Sequence, residues 1–324
     1  MMQLLRKSLV AALLLAFMST TSTFGQKNKK VFLDAKSAGP DFAVQGEYVG
    51  IIGKKTKLGA QVIALGNGKF DAVLYAKGLP GAGWDGKTKV KLTGKTEKGV
   101  TYFTGKNFKG KIQNGVFSGT AEKNVAFNLK KTIRKSPTLG AKPPEGAVVL
   151  FDGKNVDAWV GCKLEEGNLL GVGGRTKRKF KDFTLHLEFR LPFMPFARGQ
   201  ARANSGLYLG DQYECQILDS FGLSGETNEC GGIYKVARPR VNMCLPPLSW
   251  QTYDVEFKAA RFNKQGKKIA PATATIRHNG VVIHKNIKLV VTPGGHQRDE
   301  KPGAIYLQNH GNPVRFRNIW VVEK

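Results

Sequence analysis

The chain has 324 residues, 51 Lys and Arg against 24 Asp and Glu (net charge +27), 41% hydrophobic residues, 39 Gly and 14 Pro. That balance excludes a disordered or collagen-like chain, and the length exceeds what one core normally supports, so two domains are expected. Beyond the N-terminus every apolar run is broken within ten residues by Lys, Gly or Pro, which excludes a membrane-spanning helix.

Residues 1–26 have the order of a signal peptide. Arg6 and Lys7 precede the apolar run Leu9–Met18, and small polar residues follow to Gly25, with cleavage expected near Gly25 or Gln26. No Cys stands near that point, so no lipoprotein anchor is expected. The mature protein is therefore expected to be exported and soluble, in a periplasm, an envelope compartment or the medium.

Residues 27–134 are expected to form a small antiparallel β domain, a sheet or a barrel. Short β-type runs (Ala60–Leu65, Phe70–Tyr75, Thr88–Leu92, Val100–Thr104, Gly115–Gly119) alternate with turn signals at Gly66-Asn67-Gly68, Gly94-Lys95, Gly105-Lys106 and Asn114-Gly115. From Lys27 to Lys135 there are 22 Lys and Arg against 7 Asp and Glu, a surplus of 15. In an exported protein that surplus argues against nucleic acid. It points instead to acidic polysaccharide or an anionic envelope surface, or to lysines that merely block edge-to-edge strand pairing. No catalytic constellation occurs in this part.

Residues 135–145, within the Pro-rich run Arg134–Gly146, read as a linker. From 146 to 324 the chain is again β-rich. Phe183, Leu185, Leu187 and Phe189 alternate with Thr184, His186, Glu188 and Arg190, and Tyr213, Cys215 and Ile217 alternate with Glu214 and Gln216. Further strands are expected around Ser205–Leu209, Tyr253–Phe257, Ala272–His278, Val281–His284, Ala304–Gln308 and Val314–Val322, with a type I′ turn at Asn279-Gly280. This is the pattern of a two-sheet sandwich or jelly roll. His278, ahead of the turn, is expected to be exposed, and Trp84, Trp159, Trp250 and Trp320 to be anchors of core or strand. The loop Pro293–Lys301, with His296, is either a lip or a plain connection. Cys162, Cys215, Cys230 and Cys244 match no metal spacing; if a disulfide exists, Cys215 with Cys230 is the first pairing to test.

The outward faces gather His186, Glu188 and Arg190; Asn204 and Tyr208; Glu214 and Gln216; Gln308 and His310. Carboxylates, amides, an imidazole and aromatic rings on neighbouring strands would suit a polyol, since hydroxyls need paired donors and acceptors and sugar rings stack on flat groups.

Val149–Trp159 (VLFDGKNVDAW), Asn204–Leu209 (NSGLYL), Tyr213–Ser220 (YECQILDS), Cys230–Tyr234, Trp250–Tyr253, His278–Gly280 and Leu307–Asn318 (LQNHGNPVRFRN) follow in an order that resembles the 3-keto-disaccharide hydrolase family over residues 145–324. The resemblance implies a concanavalin- or laminin-G-like jelly roll acting on glycosides already oxidised at C3. A C3 carbonyl acidifies the C2 proton; a base removes it, the enolate expels the C1 substituent, and water adds back. The implied catalytic residues are His310 or Glu214 as base or acid, with Glu188 as partner. Asn204, Tyr208, Gln216 and Gln308 would bind hydroxyls or the enolate, and Arg317 would add positive charge. Asn309 stands where the family pattern has an Asp. No cofactor is required, although His310 with Glu188 or Glu214 could hold a divalent metal. A non-catalytic, lectin-like carbohydrate-binding module and an envelope attachment protein are the alternatives.

Overall fold

The computed structural model describes residues 30–296 and 301–324; the expected signal peptide lies outside them. Eight antiparallel strands, β1 Gly46–Ile52, β2 Thr56–Gly66, β3 Lys69–Ala76, β4 Lys89–Glu97, β5 Val100–Gly105, β6 Phe108–Gln113, β7 Val116–Thr120 and β8 Ala126–Thr132, close into a barrel through the pairing of β1 with β8. Alternation fills the interior with Tyr48, Val62, Phe70, Phe103, Phe117 and Phe127 and turns the polar neighbours outward. Asn67-Gly68 and Asn114-Gly115 both adopt positive φ, as a two-residue hairpin turn requires. Gly94-Lys95 is not a turn: both residues lie inside β4, where a Cβ on Gly94 would come within 2.5 Å of the Phe103 ring. Closure leaves β1 to β8 without a free edge, so their lysines are not needed to block edge pairing.

The remaining strands are β9 Val148–Phe151, β10 Trp159–Val160, β11 Leu164–Glu165, β12 Leu169–Leu170, β13 Gly174–Thr176, β14 Phe183–Arg190, β15 Ser205–Leu209, β16 Tyr213–Ile217, β17 Trp250–Lys258, β18 Arg261–Phe262, β19 Lys268–Ala270, β20 Thr273–His278, β21 Val281–Lys288, β22 Tyr306–Leu307 and β23 Arg315–Glu323. One sheet runs β10-β13-β22-β15-β16 and the other β11-β12-β23-β14-β17-β20-β21, with β9 on β23 and a separate β18-β19 pair. The inward stripes predicted from alternation (Leu185, Leu187 and Phe189; Leu207 and Leu209; Cys215 and Ile217; Tyr253 and Val255) meet in one core between the sheets.

The barrel and the sandwich share residues. Phe193 leaves the end of β14, exchanges backbone hydrogen bonds with Phe32, and packs into the barrel core against Phe32 and Phe42. In return Ile63, Val73 and Tyr75 on the outer face of β2 and β3 join the sandwich core. Gly222 sits under this seam at φ +77°, and a Cβ there would lie 2.4 Å from Ile63 Cδ1. Gly222→Ala is therefore expected to lose roughly 1–3 kcal/mol in chemical denaturation, whereas Gly140→Ala, at similar φ with open space around it, loses only the backbone part.

Several side-chain expectations change. His278 is fully buried, with Nε2 3.0 Å from Gln251 Oε1, and burial pushes its pKa down to about 3. All four cysteines are buried and free, so Cys215 and Cys230 are not bridged; Cys230 Sγ lies 3.3 Å from the Tyr253 hydroxyl. Trp159 is buried and donates to Leu150 O, Trp320 stacks on His186, and Trp250 lies beneath the guanidinium of Arg317. Among the described residues no helix is long and apolar enough to cross a membrane.

Candidate functional site

The outward polar residues divide between two sheets. Asn204, Tyr208, Glu214, Gln216 and Gln308 belong to β15, β16 and the ends of β15 and β22, whereas Glu188 and Arg317 belong to β14 and β23 of the other sheet. Glu188 and Arg317 are therefore corrected out of the candidate site: alternation identifies an outward face but cannot say on which side of the sandwich it lies.

On the five-stranded sheet, Tyr208 stands directly opposite Glu214 on one side and Tyr306 on the other. The Tyr208 hydroxyl donates to Glu214 Oε2 at 2.9 Å and accepts from Gln308 Nε2 at 3.2 Å. The carboxylate folds back over Gly206, where a Cβ would sit 2.4 Å from Glu214 Oε1, so only glycine leaves it that place. Glu214 is 2% exposed. Burial raises its pKa to about 7, against the opposing pull of the Tyr208 hydrogen bond. The Tyr208 phenol is pushed up as well, by burial and then by the Glu214 charge.

An amide cluster adjoins this pair. Asn204 Nδ2 and Gln216 Nε2 both donate to Gln200 Oε1, at 3.2 and 3.0 Å, and the Asn204 N–H donates to Asn312 Oδ1 at 2.7 Å. Two carbonyl oxygens here, Asn204 Oδ1 and Gln308 Oε1, are buried without a partner among the described residues. Orphaned acceptors of this kind are uncommon in native interiors and suit a hydroxyl-rich ligand. Gly294 and Pro293 close over Tyr208, and His296 pairs with Asp211 at 2.9 Å, so the start of the Pro293–Lys301 loop forms a lip here.

His310 is exposed on the loop after β22, without a hydrogen bond or ion pair among the described residues. The loop is anchored on both sides of it, by Gln308 on Tyr208 and by Asn312 on Asn204. Asn309 Oδ1 accepts from Gly311 N–H at 2.9 Å, so the amide makes a turn that a carboxylate would also make. Among the described residues no group of three or more His, Cys, Asp and Glu is arranged to hold a metal. The set of His310 with Glu188 or Glu214 fails in one half, because Glu188 is on the other sheet.

Sequence reasoning missed Gln200, which lies in a short 3₁₀ turn with no periodicity to reveal it. It also missed Tyr306, with Arg175 stacked 3.9 Å from its ring centre, although Tyr306 shares the alternating face of Gln308 and could have been found from it.

A glycosyl hydrolase of Parabacteroides distasonis ATCC 8503, so described only provisionally, is 33% identical to the chain, covers 56% of it and 85% of its own length, and superposes with a TM-score of 0.50. Two others from the same organism, described in the same terms, are 16% and 20% identical with TM-scores of 0.39; they cover 56% and 55% of this chain and 94% and 99% of their own. No curated protein matches the chain. Residues 146–322 match the model of the 3-keto-alpha-glucoside-1,2-lyase-like domain, and the chain belongs to that family.

Proposed function

We propose that the sandwich cleaves 3-keto-α-glucosides, with Glu214 as the general base. The observation that carries this is the buried Glu214 carboxylate, held over Gly206 with a pKa of about 7 beside amide oxygens that lack partners. A base poised near neutrality can take a C2 proton that an adjacent ketone has made acidic. The electron pair passes to the C3 oxygen as an enolate, which the Asn204 and Gln216 amide N–H groups bind by giving up their bonds to Gln200 Oε1. Collapse of the enolate breaks the C1–O bond, and the departing oxygen needs a proton, which His310 on the exposed loop supplies. Elimination alone is a lyase reaction. Addition of water, with hydroxide to C1 and the proton returned to C2, makes the net reaction hydrolysis. This route needs no pair of carboxylates flanking the bond, as ordinary glycosidases have.

The test is release of glucose from 3-keto-trehalose and from trehalose by the protein lacking residues 1–26. Release from the keto sugar alone, lost in Glu214→Gln, is the expected result. Binding of either sugar without turnover would make the sheet face a lectin-like module and remove the catalytic roles. We also propose that the protein acts after export, on the strength of the basic, apolar, small-residue order of its first 26 residues; an intact N-terminus on the native protein would overturn this.

A further inference from the structure

Two clefts run along the seam where the outer face of β2 to β4 meets the sandwich loops. One, of about 380 Å³, is lined by Val73, Lys91, Arg198, Arg202 and Phe221; the other, of about 700 Å³, by Trp84, Lys89, Arg238 and Arg240. Leu223 lines both, and Lys89 and Lys91 are i, i+2 neighbours on the outward face of β4, so the two form one groove. Six cationic side chains face three carboxylates, Asp71, Asp85 and Asp219. Two of those carboxylates are committed: Asp85 to the N–H groups of Lys87 and Thr88, and Asp219 to Arg202 Nε at 2.6 Å. Two of the cations are unoccupied. Lys91 and the Arg240 guanidinium have no partner among the described residues, while Arg238 donates to the Gly225 and Ser224 carbonyls and meets Glu226 in an exposed pair. At the inner wall Arg202, 5% exposed, leaves Nη2 unpaired. Trp84 is half-buried at the rim, its N–H bonded to Thr88 O, with Lys89 Nζ 5.9 Å from the ring centre.

We propose that this groove binds an acidic glycan chain, one carrying uronate carboxylates or sulfate esters. Its anionic groups pair with Lys91, Arg240 and Arg238 while a sugar ring lies against Trp84. The choice of a glycan over another polyanion rests on the carbohydrate reading of the sandwich. The 3₁₀ turn that offers Arg198 and Arg202 to the groove offers Gln200 to the amide cluster, so the two sites share one loop.

Binding of an oligogalacturonate and of a heparin oligosaccharide to the full mature chain is measured by calorimetry at physiological salt, with a neutral dextran oligomer and a single-stranded oligonucleotide as comparisons. Lys91→Glu with Arg240→Glu is expected to weaken acidic-glycan binding by roughly tenfold or more, and Trp84→Ala by about as much. Lys123→Glu with Lys130→Glu, an equal charge change at exposed residues beside and on β8 that line neither cleft, should change it less than about twofold. Whether carboxylate or sulfate binds more tightly identifies the preferred acid. Equal weakening by both reversed pairs would overturn the groove in favour of diffuse charge, and so would equally tight oligonucleotide binding. If Trp84→Ala perturbs folding, the charge-reversed pair alone decides. Turnover of 3-keto-trehalose should be unchanged by Lys91→Glu with Arg240→Glu, so failure of the groove and failure of the catalytic reading remain distinguishable.

Discussion

Glu214→Gln is expected to lower turnover of 3-keto-trehalose by roughly 10²- to 10⁴-fold, the range in which positioned general bases contribute. The substitution keeps the shape and can still accept from the Tyr208 hydroxyl, so the loss is one of proton transfer. In the wild type, kcat/KM should climb with pH through about 7, because burial holds the carboxyl protonated below that point and a base must be ionised. Were Glu214 the acid, the limb would fall instead. Tyr208→Phe provides an internal check. Its hydroxyl stabilises the carboxylate, so removing it should move the limb to higher pH. A limb that stays near pH 7 in the residual activity of Glu214→Gln would assign the titration to another group.

The same residue carries an opposing stability signature. A carboxyl at about 7 in the fold and near 4.5 when unfolded makes the folded state lose stability as pH rises between those values, since the unfolded chain ionises first. Glu214→Gln should therefore melt higher than the wild type at pH 8, by up to about 3 kcal/mol for a shift of this size. Such a gain beside lost turnover is the trade-off expected when a strained group is kept for function.

How much of this was legible in sequence follows from what periodicity can express. A period of two separates inward Leu185, Leu187 and Phe189 from outward His186, Glu188 and Arg190, and the core bears this out. It says nothing about which strands become neighbours. Glu188 and Glu214 both read as outward carboxylates, and only the pairing of β14 with β17 and β23, and of β15 with β16 and β22, puts them on opposite faces. Burial was equally hidden. His278 ahead of a hairpin turn looked solvent-exposed, yet the turn folds inward, with Asn279 bonded to Met243 O and Gln251. Gly94 read as a turn because glycine usually marks one, whereas here its missing side chain makes room for Phe103. Gln200 gave no signal at all, since a three-residue turn has no pattern to break.

The face of the other sheet, which alternation assigns outward and which was expected to help bind a polyol, is roofed by the segment after the barrel. Ser136 Oγ lies 2.6 Å from Thr252 Oγ1, Thr138 Oγ1 donates to Asp254 at 2.6 Å, Gly140 N–H donates to Glu188 at 2.5 Å, and Ala141 O accepts from Asn318 and Trp320. Beneath this strap His186 Nδ1 lies 2.6 Å from Asp254, while its Nε2, at 3.6 Å from Glu188, makes an ion pair rather than a hydrogen bond. Burial alone would raise the Glu188 pKa. His186, Asn318, the Gly140 N–H and Arg317 outweigh it and hold the value at about 2. His186 is shifted upward, its desolvation outweighed by Asp254 and Glu188.

Glu188→Gln is accordingly expected to cost about 3 kcal/mol at neutral pH, because a neutral isostere resembles the protonated glutamic acid and the depression from 4.5 to about 2 measures what ionisation adds. The depressed group contributes fully above pH 4.5, and its contribution disappears as pH falls through about 2. The gap between wild type and variant in denaturant titrations should close across that window. The raised imidazole has the opposite sign: its contribution is present below its unfolded pKa and is lost as pH rises through the folded one, so the strap should loosen on the alkaline side as well. Hydrogen exchange at Gly140, whose N–H is held by Glu188, reports the strap directly and should speed up in the variant. Equal pH dependence in wild type and variant between pH 4.5 and 2, with unchanged exchange at Gly140, would mean that the strap is held by the Ser136 and Thr138 hydroxyls alone and that the buried carboxylate contributes nothing.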